Sequence, residues 1–525
     1  MVINRDKLHL TLYKRIKSNF LSLSILFVFS LILTQMTHFG YLSNGSYGHD
    51  AGIFSYTGYA MLKGRALYTQ TYENKGPLLY LINMLGVYIN YYHGLYLIEL
   101  ITLFVTILFA YKTALFITDQ KKPISVLSSI FSMLLLVVAL QGGNLCEEYA
   151  LPFITIALYY VTKFFYSNMN LMNYEIILIG MCFAAVFWLR ANICAFFIPM
   201  ILIIVIVLVK QKDWKLLIKA TSYTFLGIII FSIPILIYLI KNGTFRECIN
   251  VAYLNALGDF SSITIITRIQ NVYRMINQMA DTGALYAIIV FIIAYLICLA
   301  KSAFNSKRIQ YMLSICFLGL LINLLANSIS GANHMHYFIT FVPIIIIPTA
   351  WLLYSLHSFI TGVTKKEYAG FIGVSAIFIY ITFHGFALMG DGVIKNSTVF
   401  NPENYVTPEV EYIIYNSEDT DFVQVIGGSV TLNYRAKRLS ASKHVHFASG
   451  RFSDEVVTKV ANEIAYDIIE NEPKLILFGT DEDYNKFSKA LTSTSIDSIL
   501  EGKYKEQFVD IGYIVYMKIP TVTGS

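Results

Sequence analysis

About eleven stretches of 17 to 22 mostly apolar residues recur along this chain, roughly the length a helix needs to cross a hydrocarbon core about 30 Å thick. A soluble core has no use for so many such runs. Of 525 residues 56% are hydrophobic and only 14% charged, and the mean hydropathy is +0.59, whereas soluble domains carry charge on about 25% of their residues. The runs are also too long and too continuously apolar for the tilted, alternating, roughly ten-residue strands of a membrane barrel. The expected fold class is therefore a polytopic α-helical membrane protein of about eleven spans.

The net charge of +6 does not mark a nucleic-acid binder, because the basic residues are dispersed among short loops instead of forming a patch with interleaved aromatics. They read as topology signals. The six cysteines (Cys146, Cys182, Cys194, Cys248, Cys298 and Cys316) form no Cys-x-x-Cys pair and mostly lie inside apolar runs, as small buried apolar residues do. Arg5, Lys7, Lys14, Arg15 and Lys17 precede the first run, 20–37. That run is too long for a secretory signal and no Ala-x-Ala site follows, so it is read as an uncleaved first span.

With the basic N-terminus inside, the remaining runs (95–117, 124–140, 149–166, 175–189, 193–209, 216–240, 284–300, 309–327, 338–356 and 369–389) return every basic short loop to one face. These loops are Lys121-Lys122, Lys210 to Lys215, Lys301 to Arg308 and Lys365-Lys366. Four polar clusters then emerge on the opposite, outer face: Gly48 to Pro77, Glu147-Glu148, Arg190 to Asn192 and His334 to Tyr337. Between Gly52 and Tyr92 polar and aromatic residues mix at helical spacing, which suits short helices lying in the membrane interface. After Gly390 charges and turn residues reappear. Residues 422–427 and 474–479 read as short buried strands, 454–470 and 481–490 as amphipathic helices, and 508–519 as a last strand or pair. The expected organisation is a transmembrane domain over 1–390 and a small extracytoplasmic α/β domain over 391–525. No Gly-x-Gly-x-x-Gly loop follows a strand, so Gly427-Gly428 reads as a turn and not as a nucleotide site.

Asp50 is a carboxylate just beyond the first span, between Gly48 and Gly52, which permit close approach of a ligand. It serves equally as a helix N-cap or as a general base. Lys75 is either a snorkelling anchor or, stiffened by Gly76-Pro77, a fixed positive charge suited to a phosphate. Arg190 is the only charge inside a long apolar hairpin and is functional by default, unless it pairs with an external carboxylate. Glu147 and Glu148 are acids at a span end and one of them reads as a solvated loop acid. His334 and His336 lack the i, i+4 spacing of helical metal ligands, although two histidines with nearby acids are able to bind a divalent cation.

Taken together, His49-Asp50-Ala51-Gly52-Ile53-Phe54, Gly58, Leu62, Gly64, Leu67-Tyr68, Tyr72, Lys75-Gly76-Pro77-Leu78 and Tyr80 resemble the first external loop of membrane glycosyltransferases of the GT-C fold. The resemblance is nearest to family 39, the class of protein mannosyltransferases and lipid A aminoarabinose transferases. Glu147-Glu148 before Leu151-Pro152, Arg190-Ala191-Asn192 and His336-Tyr337 before Pro343 support it, over roughly residues 20–390. The resemblance implies Asp50 as general base, a polyprenyl-phosphate sugar as donor, and Lys75 and Arg190 as the cations that hold its phosphate. Glu147, Glu148, His336 and Tyr337 are implied as acceptor-side groups or ligands of a divalent cation. The chain departs from the family pattern in having no second acid beside Asp50 and in having Asn74 ahead of Lys75, where some members carry an acid that takes part in metal binding.

Physical chemistry leads to the same mechanism. A sugar phosphodiester has a good leaving group once its phosphate is neutralised, and the acceptor hydroxyl needs a base, so a single inverting displacement onto a surface glycan, teichoic acid, lipid or protein is expected. A transporter or flippase of lipid-linked saccharide is the alternative, but it places its polar groups at the bilayer midplane. A structural scaffold predicts no polar cluster at all.

Overall fold

The computed structural model describes residues 5–40, 49–254, 264–281, 285, 289, 292, 293, 295–297, 306–328, 334–376, 406–445, 447 and 454–520. They fall into two units. The first comprises Met1–Thr37, Tyr96–Leu236 and Ala256–Ser397, and the second His38–Leu95, Ile237–Asn255 and Thr398–Ser525.

The first unit is helical, as lipid requires, because a helix satisfies its backbone hydrogen bonds within one segment. Among the described residues six helices are long and apolar enough to cross a bilayer: Gly94–Ile117, Lys122–Ala139, Ala191–Gln211, Trp214–Lys241, Lys307–Asn327 and Met335–Thr364. Asn19–Thr34 and Asn173–Leu189 are apolar but shorter. The chain is a multi-pass membrane protein. Burial separates inner from outer helices: Ile344, Ile346, Ile347 and Ala350 are wholly buried, while Phe225, Ile229 and Ile233 of Trp214–Lys241 are exposed, as on a surface that faces lipid.

Several expected spans meet helices within two or three residues, such as 216–240 with Trp214–Lys241 and 309–327 with Lys307–Ser328. Most of the expected span at 284–300 and most of that at 369–389 lie outside the described residues. So does the expected domain boundary at residue 390. Three runs depart from simple helices. The 124–140 run breaks after Lys122–Met133 and resumes at Leu136–Ala139. The 193–209 run opens with a tight 3-10 segment, Ala191–Phe196, and the 338–356 run with another, Met335–Phe341. The helix over the 149–166 run begins earlier, at Cys146, which draws Glu147 and Glu148 into its first turn. Neither is a solvated loop acid, since both are buried.

The second unit joins the segment after the first apolar helix to the tail. Helices His49–Leu62 and Pro77–Ile89 cross at Gly58, where a Cβ would stand 2.6 Å from the backbone carbon of Asn83. Every residue from Ala51 to Met61 is buried, so His49–Leu62 is not the half-exposed interfacial helix expected from its pattern. The tail supplies the burial. Tyr56 accepts a hydrogen bond from the Ser440 amide (2.8 Å), Tyr59 donates to the Lys437 carbonyl (2.7 Å), Arg65 donates to the Ser440 carbonyl (2.6 Å), and the Tyr72 amide donates to the Lys443 carbonyl (2.9 Å).

The tail carries a four-stranded sheet of β1 (Val423–Ile426), β2 (Leu475–Phe478), β3 (Tyr504–Gln507) and β4 (Ile514–Lys518), in the order β1-β2-β4-β3. β1 and β2 are parallel, and the remaining pairs antiparallel. A parallel pair needs a long crossover, and helix Asp454–Asn471 lies within it. Successive side chains alternate faces: Ile426, Ile476 and Phe478 pack with Ile464 and Phe487, whereas Val423, Val425, Leu475 and Leu477 pack with Val410 and Ile413. Helix Asp481–Ala490 stands where the sequence places it, N-capped by Thr480, which accepts from the Asp483 amide. The last strand pair begins earlier than expected, because Phe508 is 96% exposed and lies between the strands. Polar Tyr-Lys-Glu-Gln of β3 is an edge strand, where charge discourages pairing with other chains.

Candidate active site

Asp50 occupies the first turn of His49–Leu62, exposed at the end where the helix dipole favours a carboxylate. Gly52, one residue beyond Ala51, faces the tail and not open space: a Cβ there would meet the Thr431 methyl at 2.4 Å. Gly48 lies outside the described residues.

Two buried tyrosines fix the segment that carries Lys75. The Tyr68 hydroxyl donates to the Lys75 carbonyl (2.8 Å), the Lys75 amide donates to the Tyr80 hydroxyl (3.1 Å), and that hydroxyl donates to Glu73 Oε2 (2.8 Å). Tyr68 adopts a left-handed φ of 73°, an uncommon conformation outside glycine that is held where the surroundings over-determine it. Its ring and that of Tyr80 meet edge to face at 6.4 Å. Gly76 and Pro77 then begin Pro77–Ile89, whose N-terminus has no side-chain cap, leaving amides of the kind that accept an anion. The Lys75 ammonium donates to Asn74 Oδ1 at 2.7 Å.

Glu73 is a site residue the sequence reading passed over. Burial pushes its carboxyl above the usual carboxylate range; Lys75 and the Tyr80 hydroxyl oppose this, and the charge of Asp50 adds to it. Asp50 and Lys75 are thus each within electrostatic reach of Glu73. The two carboxyls have different surroundings, which is how acid and base roles are divided in catalytic pairs. The signal for Glu73 in the sequence was its place two residues before Lys75, but only the fold brings it to Asp50.

The remaining candidates lie in the first unit. Arg190 ends Asn173–Leu189 and pairs with Glu147, its guanidinium 5.3 Å from the centre of the Tyr337 ring. His336 approaches Gln141 Oε1 through Nδ1 (3.2 Å), stacks on His334 at 5.1 Å and meets the Tyr337 ring edge to face at 4.8 Å. Arg190, Glu147, His336 and Tyr337 therefore form one cluster. Glu148 turns away from it, wholly buried, toward the backbone amides of Asn144 and Leu145 and near Glu99. Glu99 accepts from the Asn144 amide at 2.8 Å. An acid inside an apolar run was the available signal for Glu99, and the sequence reading did not use it. Among the described residues no group of three or more His, Cys, Asp or Glu side chains is placed to hold a metal ion. The divalent-cation alternative at Glu147, Glu148 and His336 finds no common ligand set, because each turns to a different partner.

A family model described as the competence-induced protein Ccs4 N-terminal domain matches residues 8–388. The chain belongs to the Ccs4 N-terminal domain family. The Ccs4 match spans Asp50, Lys75, Glu147, Arg190 and His336 and stops before the tail. A comparison with curated protein sequences returns no match. The Ccs4-family chain has the fold of ArnT from Cupriavidus metallidurans. It superposes on ArnT bound to undecaprenyl phosphate with a TM-score of 0.59 at 11% identity, over 96% of this chain and 98% of that one. The apo state of the same protein gives 0.55 at 11% identity, over 95% and 97%. The likeness covers both the spans and the tail.

Proposed function

We propose that the chain is an integral membrane glycosyltransferase that moves a sugar from a polyprenyl-phosphate donor to a cell-surface glycan, teichoic acid, lipid or protein. One observation carries the reading: a fixed lysine beside an uncapped helix N-terminus, close to a half-buried carboxyl that also feels an exposed carboxylate. The ArnT-like fold supports it, because one ArnT structure is bound to undecaprenyl phosphate. So does the first-loop resemblance to GT-C family 39.

In the proposed step the acceptor oxygen attacks the anomeric carbon as the bond to the phosphate oxygen breaks, so the configuration inverts. The acceptor proton passes to Asp50, and the bonding electron pair leaves with the polyprenyl phosphate. Lys75 offsets the charge that develops on that leaving group, the largest single contribution in many enzymes. Tyr68 and Tyr80 hold Lys75 in place and Glu73 sets the local field. Arg190 is assigned a phosphate contact on its chemistry: Glu147 engages one nitrogen of a guanidinium that has five N–H donors. The topology proposed with this function has about eleven spans, a cytoplasmic N-terminus, and an outer face that carries the site and an α/β domain over 391–525.

The test is transfer from a purified polyprenyl-phosphate sugar. Lys75→Ala is expected to lower kcat/KM at least about tenfold, since a charge-assisted contact contributes about 1.5 to 3 kcal/mol. Lys75→Met, which keeps the stem without the charge, is expected not to restore it. Wild-type kcat/KM in both variants would remove Lys75 from the phosphate site.

A further inference from the structure

Between two membrane-crossing helices, Trp214–Lys241 and Lys307–Asn327, the first unit contains a helix of a different kind. Ile265–Asp281 is strongly amphipathic yet has almost no net hydrophobicity, the character of a helix that lies on a surface instead of spanning a bilayer. Ile265, Ile269, Tyr273 and Ile276 recur at helical spacing and form one apolar stripe, with Ile266 at its edge.

The stripe is turned away from the protein. Ile265–Asp281 packs against Lys307–Ser328 and Met335–Phe341, and the side it presents to them is largely polar: Asn271 is buried, and Thr267, Arg268 and Gln278 are half-buried with Val272 beside them. Outside lie Ile265, 74% exposed, Ile266, 69%, and Ile269 and Tyr273, each 65%. A surface helix in water does the reverse. Under water this orientation has two costs. A contiguous set of large apolar side chains stays hydrated, and the buried Asn271 amide nitrogen has no hydrogen-bond partner among the described residues, which a buried donor ordinarily finds. Half a turn about the helix axis would relieve both, so water is not the neighbour this orientation suits.

Lipid suits it. Next to the stripe around the helix, Gln270, Arg274 and Asn277 are also exposed. Three sectors therefore follow one another about the axis: one against protein, one apolar and open, one polar and open. A helix lying in a bilayer interface meets protein, acyl chains and headgroups in that way. Leu321 and Leu325 of Lys307–Ser328, the span it packs on, are exposed as well, so the stripe belongs to a surface that already faces lipid. We propose that Ile265–Asp281 lies in the membrane interface, its isoleucine stripe among the acyl chains and Gln270, Arg274 and Asn277 at the headgroups. Met335–Phe341 carries His336 and Tyr337, so this anchorage fixes the level of those side chains against the leaflet.

The proposal is independent of glycosyl transfer and is tested on the purified full chain in phosphatidylcholine nanodiscs that hold a single copy each. Ile265→Cys, Ile269→Cys, Gln270→Cys and Arg274→Cys are labelled with an environment-sensitive fluorophore. The wild-type chain, labelled in parallel, gives the background of its own cysteines, and Tm checks folding. Quenching by phosphatidylcholine brominated in its acyl chains is compared with quenching by aqueous iodide. The brominated lipid is expected to quench the labels at 265 and 269 at least about twofold more than those at 270 and 274, as for side chains about 5 to 10 Å into the headgroup and acyl boundary. Iodide is expected to act in the opposite order. Equal iodide quenching at all four positions would place the stripe in water. Labels at 265 and 269 that neither quencher reaches would place it against protein. Either result would overturn the lipid assignment.

Discussion

Glu73 and Lys75 lie two residues apart and point to different tasks because one tyrosine hydroxyl serves both. Tyr80 donates to the Glu73 carboxyl and accepts from the Lys75 amide. Tyr80→Phe removes both bonds while keeping the ring packed, and a hydrogen bond contributes about 1 kcal/mol net. Transfer in Tyr80→Phe is therefore expected to fall about fivefold in kcat/KM, with Tm nearly unchanged; unaltered kinetics would mean that the segment is positioned without Tyr80. At Asp50 the amide of Asn preserves shape and removes the base. Asp50→Asn is expected to bind the polyprenyl-phosphate donor as wild type does and to lose turnover by about a hundredfold or more, the scale of general-base assistance. Asp50, Lys75 and Arg190 stand out in the sequence because each is a charge at the edge of an apolar run, and their roles at a site are proposals. Glu73 and Glu99 were not singled out, since their significance rests on what the fold sets beside them. Arg190 shows the opposite limit, because the sequence could not tell a phosphate ligand from an ion-pair partner, and the structure supplies Glu147.

The helices and strands were legible wherever burial followed a simple period. Helix Asp481–Ala490 and strands β1 and β2 stand where the sequence put them, but β3 is polar and its place is set by pairing with β4. His49–Leu62 misled for a physical reason: its mixed polar and aromatic pattern suits a half-exposed helix, whereas its tyrosines bury their hydroxyls on main-chain groups of the tail. Gly58 permits the crossing with Pro77–Ile89. Gly58→Ala forces a methyl to within 2.6 Å of backbone, so a loss of about 1 to 3 kcal/mol is expected from overpacking, read as a lowered Tm of the purified chain. An unchanged Tm would show that the two helices can slide apart. In the tail, hydrogen bonds from His444 and Lys443 hold the Glu463 carboxyl down to about 2, against an ordinary value of 4.5. A folded-state pKa below the unfolded one contributes stability that is fully present above pH 4.5 and fades as pH falls toward about 2. The Tm deficit of Glu463→Gln is expected to be largest near neutral pH and to shrink across that window. A deficit independent of pH would assign the effect to packing.

The whole chain is a multi-pass membrane protein, and we propose that it is an enzyme whose basic loops share one face. Spans were legible by hydropathy because lipid leaves the backbone few alternatives. The association of the tail with the first loop was not, because it is built from side-chain hydrogen bonds to main-chain carbonyls of residues more than 370 away in sequence. Single cysteines at Lys365 and Asp454 are expected to label from opposite sides of sealed vesicles, and labelling from one side would overturn the proposed topology. The central claim is chemical, and the most direct measurement follows the labelled sugar of a polyprenyl-phosphate donor in vesicles that contain the purified chain and an acceptor extract from the cell surface. The account predicts that label leaves the lipid and enters the acceptor, that polyprenyl phosphate is released in equal amount, and that Asp50→Asn stops both. Label that crosses the bilayer still attached to its lipid, at the same rate in wild type and Asp50→Asn, would contradict it and identify a carrier of lipid-linked saccharide.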